Sequence, residues 1–235
     1  MKRSFPGSTT ARASTKRKVT RTDNALTSAA AAVQKLSVLT VLTYNVDGLG
    51  IDIGNRTKHC INIILEQRPD VVCLQEVIPD TKYMFIAGLR EHYVNRSFVD
   101  LHVEAAGYYT MIFTKKGIIY TGGQRLPFKA GKSCMGRDIL IAKIEVAGRE
   151  VVVVTSHLES TKQLPFPAVR CKQLKEICDS FLLGVSSPAL FCGDTNLSFN
   201  QQYKKQDDVV ALGESKNALD DAYLASGAEK ECFST

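Results

Sequence analysis

The stretch ALFCGDTNLS at 189–198 runs an apolar segment, Ala189 to Cys192, into a glycine and then sets an acid and an amide two residues apart, Asp194 and Asn196. Three other apolar segments close on polar groups: SVLTVLTY on Asn45 and Asp47, VVCLQ on Glu76, and VVVVT on Ser156 and His157. Taken as one site, these groups suit metal-assisted hydrolysis of a phosphodiester. A lone carboxylate such as Glu76 suits Mg²⁺, with Mn²⁺ as a substitute, because Mg²⁺ keeps several waters and takes only one or two protein carboxylates beside substrate phosphate. Asn45 could orient Glu76 or bind the ion. Asp194 could deprotonate or orient an attacking water. Asn196 and His157 could donate to non-bridging oxygens where negative charge builds, and Arg137 could clamp the phosphate.

Each group alone has an ordinary role as well. A carboxylate at a strand end is commonly a cap or turn former, Asp194 and Asn196 after glycine suit a turn, and Asp47 before Gly48 is a normal turn residue. A single histidine is often structural, and an arginine opening a strand is often half of a surface ion pair. What carries weight is that four segment ends agree on one chemistry.

The elements that must position them are legible as periods and breakers. SVLTVLTYN at 37–45, DVVCLQE at 70–76, GYYTMIFTKK at 107–116, GIIYTGGQ at 117–124 and PALFCGD at 188–194 read as strands, rich in β-branched and aromatic residues. NRTKHCINIILEQ at 55–67 reads as a helix with Cys60, Ile61, Ile64 and Leu65 on one stripe. RDILIAKIEVAGREVVVVTSH at 137–157 reads as a hairpin turning at Gly148. VRCKQLKEICDSFLL at 169–183 is amphipathic, and NALDDAYLASG at 217–227 reads as a short helix. Alternating strands and helices followed by a long hairpin predict a sheet-rich, layered α/β domain, whose chemistry belongs at strand ends.

A chain of 235 residues is long enough for one such domain with its own core. No apolar stretch approaches the roughly 20 residues of a membrane-spanning helix. Residues 1–36 hold eight Lys/Arg against one acid, whereas 37–235 hold 22 against 23. The basic character therefore belongs to a tail, which its composition predicts to be disordered. Its TKRKVTR run at 15–21 suits a nuclear address or a nucleic-acid contact, so a nuclear protein is expected, with the cytoplasm as the alternative. The seven cysteines form no C-x-x-C pair, as expected for reduced thiols.

Four motifs in this order, TYNVDGL at 43–49, PDVVCLQEV at 69–77, TSHLEST at 155–161 and CGDTNL at 192–197, resemble those of the endonuclease/exonuclease/phosphatase superfamily. The resemblance covers Ser37 to the end. It implies a four-layer α/β sandwich, two packed mixed sheets flanked by helices, with an Mg²⁺-dependent site at one rim. Glu76 matches the main metal ligand, with Asn45 beside it, and Asp194 matches the residue that positions or activates the water. Asn196 and His157 match residues at the scissile phosphate, and Arg137 looks like the arginine facing the nucleic-acid strand. Asp47, Ser156 and Tyr108, which lie in matching segments, are expected on the substrate side.

The more particular motifs, N-x-D-G-L and S-H-L-E-S-T, imply the branch that hydrolyses 5′-phosphotyrosyl bonds. Its partner is a DNA end carrying a tyrosyl or peptide adduct left by a trapped topoisomerase, with no membrane involved and a monomer at work. An abasic-site endonuclease, a phosphoinositide phosphatase and a non-catalytic DNA-binding fragment are the alternatives. The superfamily's domain carries further strands and a final S-D-H motif beyond the segment matching ECFST at 231–235. The chain is therefore expected to lack its last strands and to be a truncated form of an active enzyme.

Overall fold

The computed structural model describes residues 37–99, 107–160, 166–183 and 185–196. Expectations for the basic tail, for the helix at 217–227 and for the end of the chain fall outside the described residues. The elements run, in chain order, β1 (Val41–Asn45), α1 (Ile53–Gln67), β2 (Val71–Val77), α2 (Pro79–Leu89), β3 (Tyr93–Asn95), β4 (Tyr109–Lys115), β5 (Tyr120–Pro127), β6 (Asp138–Val146), β7 (Arg149–Ser156), α3 (Phe166–Ile177) and β8 (Ala189–Phe191).

The strands form two mixed sheets, in the orders β1-β2-β4-β3 and β5-β6-β7-β8. Each sheet has one parallel pair at an edge: β1 with β2, and β7 with β8. All other pairs are antiparallel. The β6–β7 hairpin turns through Ala147 and Gly148, both at positive φ, the two-residue geometry whose twist matches that of the strands.

Side-chain alternation assigns the layers. From β2, Val72 and Leu74 pack with Ile64 of α1 and Phe85 and Leu89 of α2. The intervening Val71 and Cys73 pack instead with Leu140, Ala142 and Val153 of the other sheet. On that sheet's far face, Ile139, Ile141, Val152 and Val154 meet Leu174 and Ile177 of α3. The result is helix, sheet, sheet, helix, the four-layer sandwich expected from the motifs. β2 is covered on both faces, which is why VVCLQ reads as a continuous apolar run and not an alternating one.

The helix expected at 55–67 begins two residues earlier and ends where Arg68 turns left-handed ahead of Pro69. The helix expected at 169–183 starts at Phe166 and passes into a π-helical turn at Cys178–Leu182. Two elements have no counterpart in the sequence reading. α2 starts on Pro79, which suits a first helical position, but its buried set is Thr81, Lys82, Phe85 and Leu89, not a clean apolar stripe. β3 is only three residues long.

Polar bridges fix how the sheets face each other. Gln75 donates through Nε2 to Thr43 Oγ1 and to Thr155 Oγ1, each at 3.2 Å, joining β1 and β2 to β7. Arg125 on β5 donates to both oxygens of Asp138 at 2.7 and 2.6 Å, and reaches across to the carbonyls of Thr110 at 2.6 Å and Ser97 at 3.0 Å. Both side chains of this pair are largely buried. Removing one partner of a buried pair strands the other charge. Arg125→Met is therefore expected to cost about 3–5 kcal/mol in urea unfolding, and adding Asp138→Leu is expected to recover most of it. A single variant as stable as the parent would show that the buried pair between β5 and β6 is not worth its burial.

Candidate active site

Both parallel pairs end at the same rim. Asn45 closes β1, Glu76 lies near the end of β2, Ser156 and His157 close β7, and Asp194 follows β8, bridged to His157 by a parallel ladder step. In that step the Asp194 amide donates to the Ser156 carbonyl at 3.1 Å, and the Leu158 amide donates to the Asp194 carbonyl at 2.9 Å. Gly193 makes this approach possible, since a Cβ there would lie 2.2 Å from the Ser156 carbonyl oxygen.

Glu76 is aimed by a bulge. The β2–β4 register runs Leu74↔Met111 and resumes at Val77↔Tyr109, so β2 carries one extra residue. Glu76 sits there at φ 59°, a left-handed conformation costly for a non-glycine residue and found where function requires it. Gly48 lies under the bulge, and a Cβ on it would come within 2.1 Å of the Glu76 carbonyl oxygen.

Asn45 joins the two sheets. Its Nδ2 donates to Glu76 Oε1 at 3.1 Å and to Asp194 Oδ2 at 2.9 Å, while its Oδ1 accepts the Asp47 amide at 2.9 Å. Asp194 Oδ1 accepts the Asn196 amide at 2.9 Å. Each carboxylate is thus held by at least one neutral donor, and among the described residues neither is in an ion pair with a lysine or arginine.

His157 lies between the same carboxylates, Nδ1 at 3.7 Å from Glu76 Oε1 and Nε2 at 3.5 Å from Asp194 Oδ2. Arg137 Nη1 is 2.7 Å from His157 Nδ1. A guanidinium only donates, so Nδ1 must accept and the ring proton belongs on Nε2. Burial, followed by the Arg137 charge, lowers the His157 pKa to about 4. The imidazole is therefore neutral at neutral pH, its approaches to the carboxylates are not ion pairs, and its Nε2–H is a donor. Tyr108 covers Arg137, its ring centre 4.4 Å from the guanidinium carbon, and meets the His157 ring edge-on at 6.5 Å. Burial pulls the Arg137 pKa below its ordinary value, opposed by Tyr108 and by Glu76, Glu159 and Asp194.

Glu76, Asn45, Asp194, His157, Arg137 and Tyr108 come together. Three other expected residues stand differently. Ser156 is fully buried and donates its hydroxyl to the Asp138 carbonyl at 2.7 Å, a tie between strands. Asp47 is half-exposed and pairs with Arg56 Nη1 at 2.6 Å. Asn196, at φ 50°, directs one amide hydrogen to the Leu158 carbonyl at 3.0 Å, leaving the second for other use. Sequence reasoning missed Glu159, Ser133 and Gln173, which lie behind Arg137. The motif S-H-L-E carried Glu159 in plain sight, but nothing local marks a glutamate as buried.

The donor set fits Mg²⁺. Among the described residues no three His, Cys, Asp or Glu side chains are set to hold one ion. A site for Mg²⁺ does not need three, because that ion is bound through one or two carboxylates and keeps water for the rest. Glu76 supplies a hard oxygen donor, and the Asn45 amide ties Asp194 to it across the gap between the sheets.

A four-layer sandwich whose two parallel strand pairs deliver carboxylates, an amide and a histidine to one rim defines a hydrolase class, and the chain belongs to it: the Endonuclease/Exonuclease/phosphatase family matches residues 42–202. Within that family the chain is similar to Tyrosyl-DNA phosphodiesterase 2. It is 33% identical to the Rattus norvegicus protein over 199 residues, 83% of this chain and 50% of the relative. Against the Homo sapiens protein it is 31% identical over 199 residues, again 83% and 50%. The chain spans about half the length of these curated relatives. The crystal structure of D. rerio TDP2 complexed with single strand DNA product matches with a TM-score of 0.67 at 25% identity, over 83% of this chain and 72% of that one.

A histidine with a lowered pKa makes a signed prediction. As pH falls, the unfolded chain takes up this proton near 6.5 and the folded chain only near 4. Stability contributed by neutral His157 is complete above about 6.5 and is lost as pH falls towards 4. In metal-free buffer the urea midpoint is expected to drop across that window, and His157→Gln is expected to flatten the drop. Parallel curves for parent and variant would contradict the buried neutral imidazole.

Proposed function

We propose that this chain is an Mg²⁺-dependent phosphodiesterase that hydrolyses 5′-phosphotyrosyl bonds at DNA ends. The observation that carries the reading is the Asn45 amide spanning Glu76 and Asp194, one carboxylate from each sheet, at 3.1 and 2.9 Å. The similarity to Tyrosyl-DNA phosphodiesterase 2 supports the choice of substrate, and the neighbour complexed with single strand DNA product supports the choice of nucleic acid. The basic residues 2–21 support a nuclear location.

Glu76, with Asn45 beside it, would hold the ion. Bound there, Mg²⁺ would neutralise phosphate charge and act as a Lewis acid. The residues do the rest. Asp194, oriented by the Asn45 side chain and the Asn196 amide, orients water and accepts its proton. His157 presents Nε2–H towards developing oxyanion charge without adding a positive charge of its own. Arg137, fixed between His157 and Tyr108, supplies the cation facing the phosphate.

A 5′-tyrosyl oligonucleotide, assayed with Mg²⁺ and with EDTA, tests this. The full chain is expected to release tyrosine only with Mg²⁺. Asp194→Asn is expected to lower the rate by about 10²–10⁴-fold, and Glu76→Ala to abolish the response to Mg²⁺. A rate indifferent to both substitutions, or turnover only of abasic duplex or inositol phosphates, would overturn the proposal.

A further inference from the structure

Behind Arg137 lies a carboxylate with no assigned task. Glu159 is fully buried, and three donors converge on its two oxygens: Ser133 Oγ at 2.7 Å, the Cys134 amide at 2.9 Å and Gln173 Nε2 at 3.2 Å. A buried carboxylate is costly to keep unless it is hydrogen-bonded, and α3 already holds the Glu159 backbone, Gln173 Oε1 accepting its amide at 3.0 Å and Arg170 Nη1 donating to its carbonyl at 2.7 Å, so the side chain is not needed for that tie.

The segment it serves is the loop 128–137. Glu176 on α3 accepts the Lys129 and Ala130 amides at 2.8–3.0 Å. Gln173 on α3 donates to the Gly131 carbonyl at 3.1 Å, and a Cβ at Gly131 would collide with the Val169 carbonyl at 2.8 Å. The last pin is Ser133. Its one hydroxyl hydrogen goes to Glu159, which leaves its lone pairs for the amides of Met135 at 3.1 Å and Arg137 at 2.8 Å. Glu159 thus fixes the direction of the hydroxyl hydrogen and keeps the lone pairs of Ser133 facing the two amides.

We propose that Glu159, acting through the Ser133 hydroxyl, is the positioning residue that sets Arg137 against His157 and thereby selects the Nε2–H form of the imidazole. The chain of contacts is continuous: Glu159 orients Ser133, Ser133 holds the Arg137 backbone, and Arg137 donates to His157 Nδ1 at 2.7 Å. The proton on Nε2 then faces Asp194 and the space where a phosphate would sit. As a statement about catalysis this rests on the function proposed above; as a statement about position it does not.

Glu159→Gln keeps size and shape but offers one acceptor oxygen where two are needed, and its amide would oppose a donor. Ser133→Ala removes the relay and leaves the carboxylate in place. The experiment records ¹⁵N signals of the His157 imidazole in the metal-free full chain, assigned by their loss in His157→Gln, for the parent, both single variants and the double. The parent is expected to show a protonated Nε2 and an acceptor Nδ1, and each folded variant a mixture of the two neutral forms. On the 5′-tyrosyl oligonucleotide each single variant is expected to lose ~10–100-fold in kcat with KM little changed, and the double no more than either single, because the two act as one unit.

An unchanged imidazole in folded Ser133→Ala overturns the proposal, and that variant decides the matter if Glu159→Gln does not fold. Losses that multiply in the double variant overturn it too. A parent chain that turns over no tyrosyl substrate counts against the proposed function and leaves the imidazole measurement to decide this one.

Discussion

Two carboxylates that repel each other reach the rim from different sheets, and the Nδ2 group of Asn45 lies between them. That group has two hydrogens, one for each carboxylate. A serine or threonine hydroxyl would have one, and an aspartate would bring a third negative charge. Hydrogen bonds to a charged group contribute about 1.5–3 kcal/mol each, so one side chain both offsets the repulsion and sets the spacing. The bulge at Glu76, the tight glycines 48 and 193 and the parallel step between His157 and Asp194 all serve to bring three chain segments within reach of that amide.

The arrangement also divides labour between charge and neutrality. Burial, helped by the Arg137 charge, keeps His157 neutral, and Arg137 is itself covered by Tyr108. Among the described residues the rim thus sets one cation, Arg137, and two neutral donors, Asn45 and His157, beside two carboxylates. Were His157 charged, it would pair with Glu76 or Asp194, which lie 3.7 and 3.5 Å from its two ring nitrogens. Burial, the largest cause of its lowered pKa, keeps the carboxylates available.

Much of this was legible in the sequence, and the exceptions share a cause. Strands were visible where β-branched residues ran together, and the site was visible because polar residues interrupted those runs. Nothing local, however, distinguishes Ser156, buried and bonded to the Asp138 carbonyl, from an exposed serine in the same motif. Glu159 carries no local mark because its burial depends on the next helix, α3, and on the loop 128–137, which lies before β6 and β7. α2 escaped notice because Thr81 and Lys82 share its buried side with Phe85 and Leu89, so that it carries no apolar stripe. Period and composition report local geometry; what a polar side chain meets is decided by the other sheet or the next helix.

The Asn45–Asp194 contact closes a span of 149 residues. Contacts so distant in sequence form only after the intervening chain has been ordered, since loop closure is costly until neighbouring packing repays it. During synthesis Asn45 and Glu76 leave the ribosome long before Asp194, and β8 has no place to dock until the β6–β7 hairpin exists. A half-made or locally opened chain would therefore carry the carboxylate proposed to hold the ion without the one proposed to orient water. Assembly order thereby acts as a safety catch, and the proposed centre comes into being only once both sheets are in place.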